Sequence, residues 1–493
     1  MSLSSIGSRL SPSVQSLVDM RKQLDDLQRQ LGTGQRSTTY AGLGLDSGLS
    51  VGLRSQLSSI GSFGDAITNV GMRLNLGQTA LDRLVEVRQD VKGTALKTVT
   101  SGDDELGLSQ RTAQSELAEI MGLLNTQAGD RYLFSGRDTN SPSVETMNHI
   151  LNGDGVKAGL KHIIEERRQA DVGSDGRGHL AFSAPTATSV RMSEDGTTAE
   201  FGFKIEGVTS SLTGATVTGP AGAPPAVTVD FTGTPAVGDT IQYRLTLPDG
   251  TTESVTLTAT DQDPPGAGQF KIGATPADTA ASFNGALDNS IKKLASTSLT
   301  AASAVEAGEN FFADPPQRVD NTGPTPVLVD GTDADTVSWY TGEKSSDPAR
   351  SAAVARIDTS VSVSYGVRAN EDGIRSVVQG IATLAAVTFS ASDPDASARS
   401  VALNQRIATA LDTPPGQQTG ENIQTDLAVS QQMLVAAKDR QTQTKSTLSG
   451  MVDQIEGIPY EEAAASILAL NSRLQASLQT TALMLQTSLA KLI

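Results

Sequence analysis

Apolar side chains recur every seven residues near the start of the chain. The first row consists of Leu10, Leu17, Leu24 and Leu31. Gly32-Thr33-Gly34 follows this row, and glycine readily takes the left-handed conformation that ends helices, so the pattern predicts a helix that stops there. A longer row predicts a second helix with a partner. Its members are Leu53, Ile60, Ile67, Leu74 and Leu81.

The end of the chain carries a similar pattern. Residues 416–493 contain a single proline, Pro459, and proline breaks helix interiors. Before it, one heptad row is interrupted only by Gln441; it consists of Leu427, Leu434, Leu448 and Ile455. After it, a final row consists of Leu478, Leu485 and Leu492, joined by Ile467 and Leu474. Because each chain end supplies half of an apolar seam, we predict that the two ends pair with each other.

The hydrophobic period changes to alternation in the middle of the chain. Residues 241–247 alternate apolar and polar side chains, Pro248-Asp249-Gly250 supplies a turn, and the alternation resumes at Val255 and Leu257. This arrangement predicts a β-hairpin. Other predicted elements are strands at 198–205 and 226–231, helices at about 106–128 and 277–307, and a hairpin around 357–367 before a helix from about 370.

These patterns predict a mainly α fold in which N- and C-terminal helices pair as a coiled coil or helical bundle, with an inserted α+β module in the middle. Fifteen of the 20 prolines fall between Pro142 and Pro348, where long helices are therefore disfavoured. The predicted divisions are 1–50 (N-terminal assembly helix and turn), 51–179 (core helices), 180–345 (inserted outer module), 346–415 (hairpin and returning core helices) and 416–493 (C-terminal core and assembly helices).

Composition narrows the classes of function. The 493 residues include no cysteine, which excludes disulfides and thiolate zinc sites. The formal net charge of −17 disfavours nucleic-acid binding, which needs clustered Lys and Arg. The sequence contains no run of about 20 apolar residues, which is the length that a membrane-spanning helix needs. We therefore predict no membrane insertion. The first ten residues lack the basic and apolar regions of a cleaved signal peptide.

Candidate catalytic motifs are isolated. Gly48-Leu49-Ser50-Val51-Gly52 matches the G-x-S-x-G pattern of a hydrolase, but it opens a helix instead of following a strand. We interpret it as a small-residue turn, so that Ser50 has no chemical role and Ser50→Ala would be nearly silent. The three histidines lack metal-binding spacing, and no phosphate-binding loop occurs. We therefore predict neither catalysis nor a cofactor or metal site.

Several segments resemble the bacterial flagellin superfamily. Leu31-Gly32-Thr33-Gly34-Gln35-Arg36 is similar to that family's turn after the first helix, although the family's paired aspartates are absent downstream. Gly129-Asp130-Arg131-Tyr132-Leu133-Phe134-Ser135-Gly136 and the ending 485–492 resemble the member at the hook–filament junction, hook-associated protein type 3. Residues 365–371 resemble junction-type and flagellin-like proteins of alphaproteobacteria.

The resemblance implies an exported structural subunit that joins hook to filament, with flagellin itself as the close alternative. It implies extracellular location in the flagellum, type III export without cleavage, self-association, contact with hook, hook-associated proteins and flagellin, and an export chaperone. A surface adhesin with a ligand-binding β module is the alternative from another class. The residues predicted to make subunit contacts are Leu10, Leu17, Leu24, Leu31, Leu474, Leu478, Leu485 and Leu492.

Overall fold

The structure is a computed structural model that describes residues 3–101, 107–196, 200–323, 325–412 and 416–489. For residues 3–13, 100–101, 485 and 487–489 it describes the backbone alone. The contacts divide the chain into two compact units. Unit 1 comprises the described parts of 1–71, 355–363 and 432–493, and unit 2 those of 72–354 and 364–431. Both ends of the chain therefore contribute to unit 1.

The helices of the described ranges include four long ones near the chain ends. In chain order they are α1 (Leu3–Thr33), α2 (Ser47–Ser101), α3 (Leu108–Leu124), α4 (Met147–Asn152), α5 (Leu160–Val172), α6 (Pro276–Leu294), α7 (Thr300–Phe312), α8 (Asp372–Ala386), α9 (Ala396–Ala410), α10 (Gly420–Glu456) and α11 (Tyr460–Leu489). A 3-10 turn spans Tyr40–Asp46, and a π-helical turn spans Ala295–Leu299 between α6 and α7.

The strands lie between α3 and α8. They are β1 (Gln127–Ala128), β2 (Arg131–Tyr132), β3 (Leu180–Ser183), β4 (Ser189–Glu194), β5 (Lys204–Ser210), β6 (Ala215–Ala221), β7 (Ala226–Phe231), β8 (Thr240–Thr246), β9 (Thr252–Thr260), β10 (Gln269–Lys271), β11 (Gln317–Asp320), β12 (Val327–Asp330), β13 (Val354–Arg356) and β14 (Ser362–Ser364).

Two four-stranded sheets form the β part of unit 2. Their strand orders are β10-β9-β8-β5 and β3-β4-β7-β6, and every neighbouring pair is antiparallel except β10 with β9. Helix α6 packs against strands of both sheets. Phe231, Phe270 and Phe283 meet edge to face in this core, with ring centroids 5.2–6.2 Å apart. Such aromatic contacts stabilise a core beyond the apolar area that they bury.

Helices α2 and α10 are antiparallel partners within unit 2. Gln424 Nε2 donates to Asp82 Oδ1 at 2.7 Å, and Gln431 Nε2 donates to Asn75 Oδ1 at 2.8 Å. Residue numbers rise along one helix as they fall along the other. Apolar residues of both helices are buried along this part of the pair, and they include Leu74, Leu81, Leu84, Val91, Ile423 and Leu427. The coiled-coil pattern in the sequence thus corresponds to a buried seam.

A buried ion pair connects α5 to the residues that precede β5. Arg167 Nε donates to Asp171 Oδ2 at 2.9 Å, and Arg167 Nη2 donates to the Glu200 carbonyl at 2.9 Å. The Gly202 amide donates to Asp171 Oδ1 at 3.0 Å. Each buried charge therefore has partners, as burial requires. The arrangement holds the segment before β5 against α5.

The predicted fold class is confirmed: terminal helices are long, and the middle region contains the sheets. The predicted hairpin corresponds to β8 and β9, and the predicted strand at 226–231 is β7. The strand predicted at 198–205 is wrong in position, because β5 begins at Lys204 and 197–199 lie outside the described residues. Gly202 takes a φ of +74°, and a Cβ there would lie 2.5 Å from the Gly178 carbonyl oxygen, so the backbone turns before the strand starts.

Burial along α2 predicts a difference between two leucines of the same helix. Leu81 is fully buried, whereas Leu76 is 37% exposed. Leu81→Ala should destabilise unit 2 by about 2–5 kcal/mol, since it removes buried methyl groups and leaves a cavity. Leu76→Ala is the matched control and should cost less than about 1 kcal/mol. Urea unfolding followed by circular dichroism measures both, and equal losses would contradict the seam.

Candidate assembly surface

Two chain segments from opposite ends meet where α1 ends and α11 begins. The Arg36 amide donates to the Glu456 carbonyl at 2.7 Å, and the Ile458 amide donates to the Gly34 carbonyl at 3.1 Å. Gln35 and Gly457 form an antiparallel bridge between these contacts. We call residues 34–36 and 456–458 the terminal clasp. Because α1 enters the clasp and α11 leaves it, the two helices are antiparallel.

The side chain of Glu456 links the clasp to the first turns of α2. Its Oε1 accepts hydrogen bonds from Ser50 Oγ and, at 2.8 Å, from Arg54 Nε. Its Oε2 accepts from Arg54 Nη2 at 2.5 Å. This is the forked arrangement in which arginine binds a carboxylate most strongly. One glutamate therefore joins the end of α10, the start of α2 and the segment after α1.

Hydrogen bonding changes the acidity of this glutamate. The hydrogen bonds from Arg54, followed by the bond from Ser50, lower the pKa of Glu456 from its ordinary 4.5 to about 2. The same contact with Glu456 raises the pKa of Arg54. Both groups are therefore held in their charged forms at neutral pH.

Helix α1 packs along α11, and each helix contributes one stripe of side chains to the contact. The stripe on α1 consists of the half-buried Leu17, Met20, Leu24, Leu27 and Leu31. The stripe on α11 consists of Ala463, Ile467, Leu470, Leu474, Ser477 and Thr481. Only Ala463 and Leu470 in these stripes are buried, and the α11 stripe becomes polar after Leu474. The pair is therefore packed most firmly near the clasp.

The residues predicted to make subunit contacts lie in different surroundings. Leu17, Leu24, Leu31 and Leu474 belong to the stripes between α1 and α11. Leu478 lies off the stripe, with its side chain 50% exposed. For Leu10 and Leu485 only the backbone is described, and Leu492 lies outside the described residues.

Unit 1 exposes many large apolar side chains on its helices and on the 3-10 turn. They include Val14 and Val18 on α1, Tyr40 and Leu45 in the 3-10 turn, Leu49 and Val51 on α2, Met433, Val435 and Met451 on α10, and Tyr460, Leu468, Leu478, Leu483 and Met484 on α11. Single exposed apolar residues are common, but many together mark an interaction surface. The heptad rule alone did not identify this set, because most of its members lie off the predicted rows.

The structure corrects the interpretation of Ser50. The G-x-S-x-G segment does open a helix, since α2 begins at Ser47. However, Ser50 is fully buried and donates to the Glu456 carboxylate. We therefore expect Ser50→Ala to lower the stability of unit 1, whereas the sequence alone predicted a nearly silent change. Sequence reasoning missed Glu456 and Arg54 altogether. The available signal was an acidic residue directly before the helix break at Gly457-Ile458-Pro459.

Gln441, which interrupts the apolar row of α10, has a defined role in unit 1. Its side chain is buried, and its Nε2 donates to the carbonyl of Ile357. A buried carbonyl without a partner would cost about 1–3 kcal/mol. The polar residue in the heptad row therefore holds the 355–363 segment against α10.

In unit 2, two of the segments that carry the family resemblance, 129–136 and 365–371, lie side by side. The Ala369 amide donates to the Phe134 carbonyl at 2.9 Å, and Ser135 forms an antiparallel bridge with Arg368. Gly136 takes a φ of +70°, and a Cβ there would lie 2.6 Å from Glu343 Oε2. The glycine of the Phe-Ser-Gly segment is thus required by both conformation and space.

The chain was compared with models of protein families. Residues 12–139 match the bacterial flagellin N-terminal helical region. The matched residues run from α1 through the turn after β2. The match supports the flagellin superfamily and a structural subunit of the flagellum, and that family is structural and not enzymatic. Comparison with curated proteins and with solved structures gave no match.

Two further properties of the described ranges concern membranes and metals. None of the helices in these ranges combines the length and apolar character that crossing a membrane requires. In the same ranges, no three His, Asp or Glu side chains are grouped so that they could hold a metal ion.

The low pKa of Glu456 predicts how the clasp depends on pH. Its ionised form stabilises unit 1 fully above pH 4.5, and this contribution is lost as the pH falls from 4.5 to about 2. Glu456→Gln should therefore destabilise the protein at pH 7, on the order of 1–3 kcal/mol, and the difference from wild type should vanish near pH 2.

Thermal melting between pH 2 and 7 measures this dependence. Asp439→Asn is the matched control, since Asp439 is an exposed carboxylate on the same helix. It should follow the wild-type pH curve. A constant difference between wild type and Glu456→Gln at every pH would contradict the assigned role of the carboxylate.

Proposed function

We propose that this chain is a structural subunit of the bacterial flagellum that self-assembles through its terminal helices and joins hook to filament. The observation that carries the proposal is the apolar surface of unit 1. Helices α1 and α11 bury little of their surface in the isolated chain, and large apolar side chains remain exposed around them. Neighbouring subunits would cover that surface, and removing it from water would drive assembly.

The choice of the junction rests on the segments that resemble the junction member. Residues 129–136 and the ending 485–492 resemble that type. Residues 365–371, which resemble junction-type and flagellin-like proteins, are hydrogen-bonded to the 129–136 segment. The filament subunit is the second candidate, because the matching family model describes flagellin. In either role the chain would be extracellular and would be exported unfolded, with a chaperone covering the terminal helices before assembly.

Immunogold electron microscopy distinguishes these roles. An epitope tag placed in the exposed turn at Gly222 would be detected on flagella of motile cells. A junction subunit should be labelled only where hook and filament meet, whereas a filament subunit should be labelled along the whole filament. Label on the cell surface away from flagella would reject both roles and would favour the adhesin.

The two faces of α11 predict separable effects of an introduced charge. Leu470 is 7% exposed and lies in the stripe toward α1, whereas Leu478 is 50% exposed. Leu470→Asp should loosen the pairing of α1 with α11, because an unpaired buried charge costs several kcal/mol. Leu478→Asp should change monomer stability by less than about 0.5 kcal/mol but prevent incorporation into flagella.

Gln479→Asp is the matched control, because it adds the same charge at the next exposed position of α11. Limited proteolysis of the monomer reports the pairing of the helices, and the amount of chain in sheared flagella reports incorporation. Normal incorporation of Leu478→Asp would contradict a contact surface at this position.

A further inference from the structure

A cavity of about 250 Å³ lies within unit 2, beside the turn that follows β2. It is bordered by α2, by the 131–139 segment, by the loop before β13, by residues 365–367 and by α10. The side chains used in the argument below are Arg73, Arg131, Arg137, Thr139 and Tyr365. The segments 129–136 and 365–371 thus both contribute to the lining of this cavity.

The lining of this cavity is positively charged. It includes three arginines and no aspartate or glutamate, although the whole chain carries 55 acidic and 38 basic residues. Arg137 is paired outside the cavity, with Glu343 at 3.1 Å and Asp347 at 3.0 Å. The other two arginines have neutral hydrogen-bond partners. The cavity is therefore suited to a negative group.

Arg73 and Arg131 keep donors available after their own contacts are counted. Arg73 Nη1 donates to Tyr365 Oη at 3.1 Å, and Arg131 Nε donates to Thr139 Oγ1 at 3.2 Å. Among the described residues, neither guanidinium forms an ion pair. A guanidinium has five N–H donors, and a tyrosine hydroxyl that accepts a hydrogen bond can still donate its own proton. Thr139 and Tyr365 thus hold the two arginines in place without neutralising them.

The size of the cavity restricts the ligand. Pockets for larger organic ligands measure about 300–1,000 Å³, so this one suits a single side chain or a small organic acid. The planar guanidinium matches the two oxygens of a carboxylate. We propose that the cavity binds a carboxylate, supplied in the assembled flagellum by an aspartate or glutamate of a neighbouring copy of this chain. The source of the carboxylate, though not the site itself, rests on the proposed function.

Citrate binding to the purified full-length monomer tests the site independently of assembly. Isothermal titration calorimetry at fixed ionic strength should detect saturable binding to wild type. The double variant Arg73→Gln/Arg131→Gln should bind at least tenfold more weakly, and Tyr365→Phe should also bind more weakly. Arg244→Gln is the matched control, since this half-exposed arginine on β8 is not part of the lining. Its affinity for citrate should equal that of wild type.

Thermal melting identifies any variant that fails to fold, and Tyr365→Phe keeps the test decisive if the double variant unfolds. Equal citrate affinity of wild type and the folded variants would overturn the site. So would the absence of binding to wild type.

The same variants, expressed in cells that lack the wild-type gene, test the source of the carboxylate. Secreted amounts should be normal, while incorporation into flagella should fall at least tenfold for the double variant and remain unchanged for Arg244→Gln. Lost citrate binding with normal incorporation would overturn the neighbouring copy as the source. If wild type itself is absent from flagella, the proposed function fails, whereas the citrate result still decides the site.

Discussion

The structure depends on bringing the two ends of a long chain together. Glu456 is separated from Arg54 by 402 residues in sequence, yet its carboxylate accepts two hydrogen bonds from that arginine. Closing so long a loop costs conformational entropy, and this cost grows slowly with the length of the loop. One surface ion pair could not offset that cost. The clasp works because backbone hydrogen bonds, a buried serine and two long helices act at the same place.

The same constraint explains how the apolar residues of unit 1 are divided. A chain folded back on itself can bury only one stripe of each terminal helix, so leucines at heptad positions pack inside the subunit. Other apolar side chains, such as Leu468 and Leu483, and the heptad residue Leu478 remain in contact with water. A stable monomer would gain from replacing them with polar residues. Their presence is understandable if a further set of contacts forms between subunits.

Electrostatics serves two different purposes in the two units. In unit 1, Arg54 and Glu456 neutralise each other at the clasp and hold the pKa of Glu456 low. In unit 2, Arg167 and Asp171 are buried and fully engaged, whereas Arg73 and Arg131 face a cavity without an acidic partner. The engaged pairs join segments that are distant in the sequence. The arginines without acids are the ones available to another molecule.

The sequence by itself determined that both ends of the chain are helical, where those helices break, and that the middle region contains a hairpin. Heptad spacing, Gly34, Pro459 and strict alternation each depend on local geometry, which a sequence records directly. The sequence could not locate β5, α5 or α9, because the limits of these elements depend on contacts such as that of Gly202 with Gly178. Only the tertiary structure decided which leucines face inward, since a heptad row specifies a face of a helix but not which partner covers it. It also brought together Ser50, Arg54 and Glu456, whose separation in sequence leaves no local pattern to read.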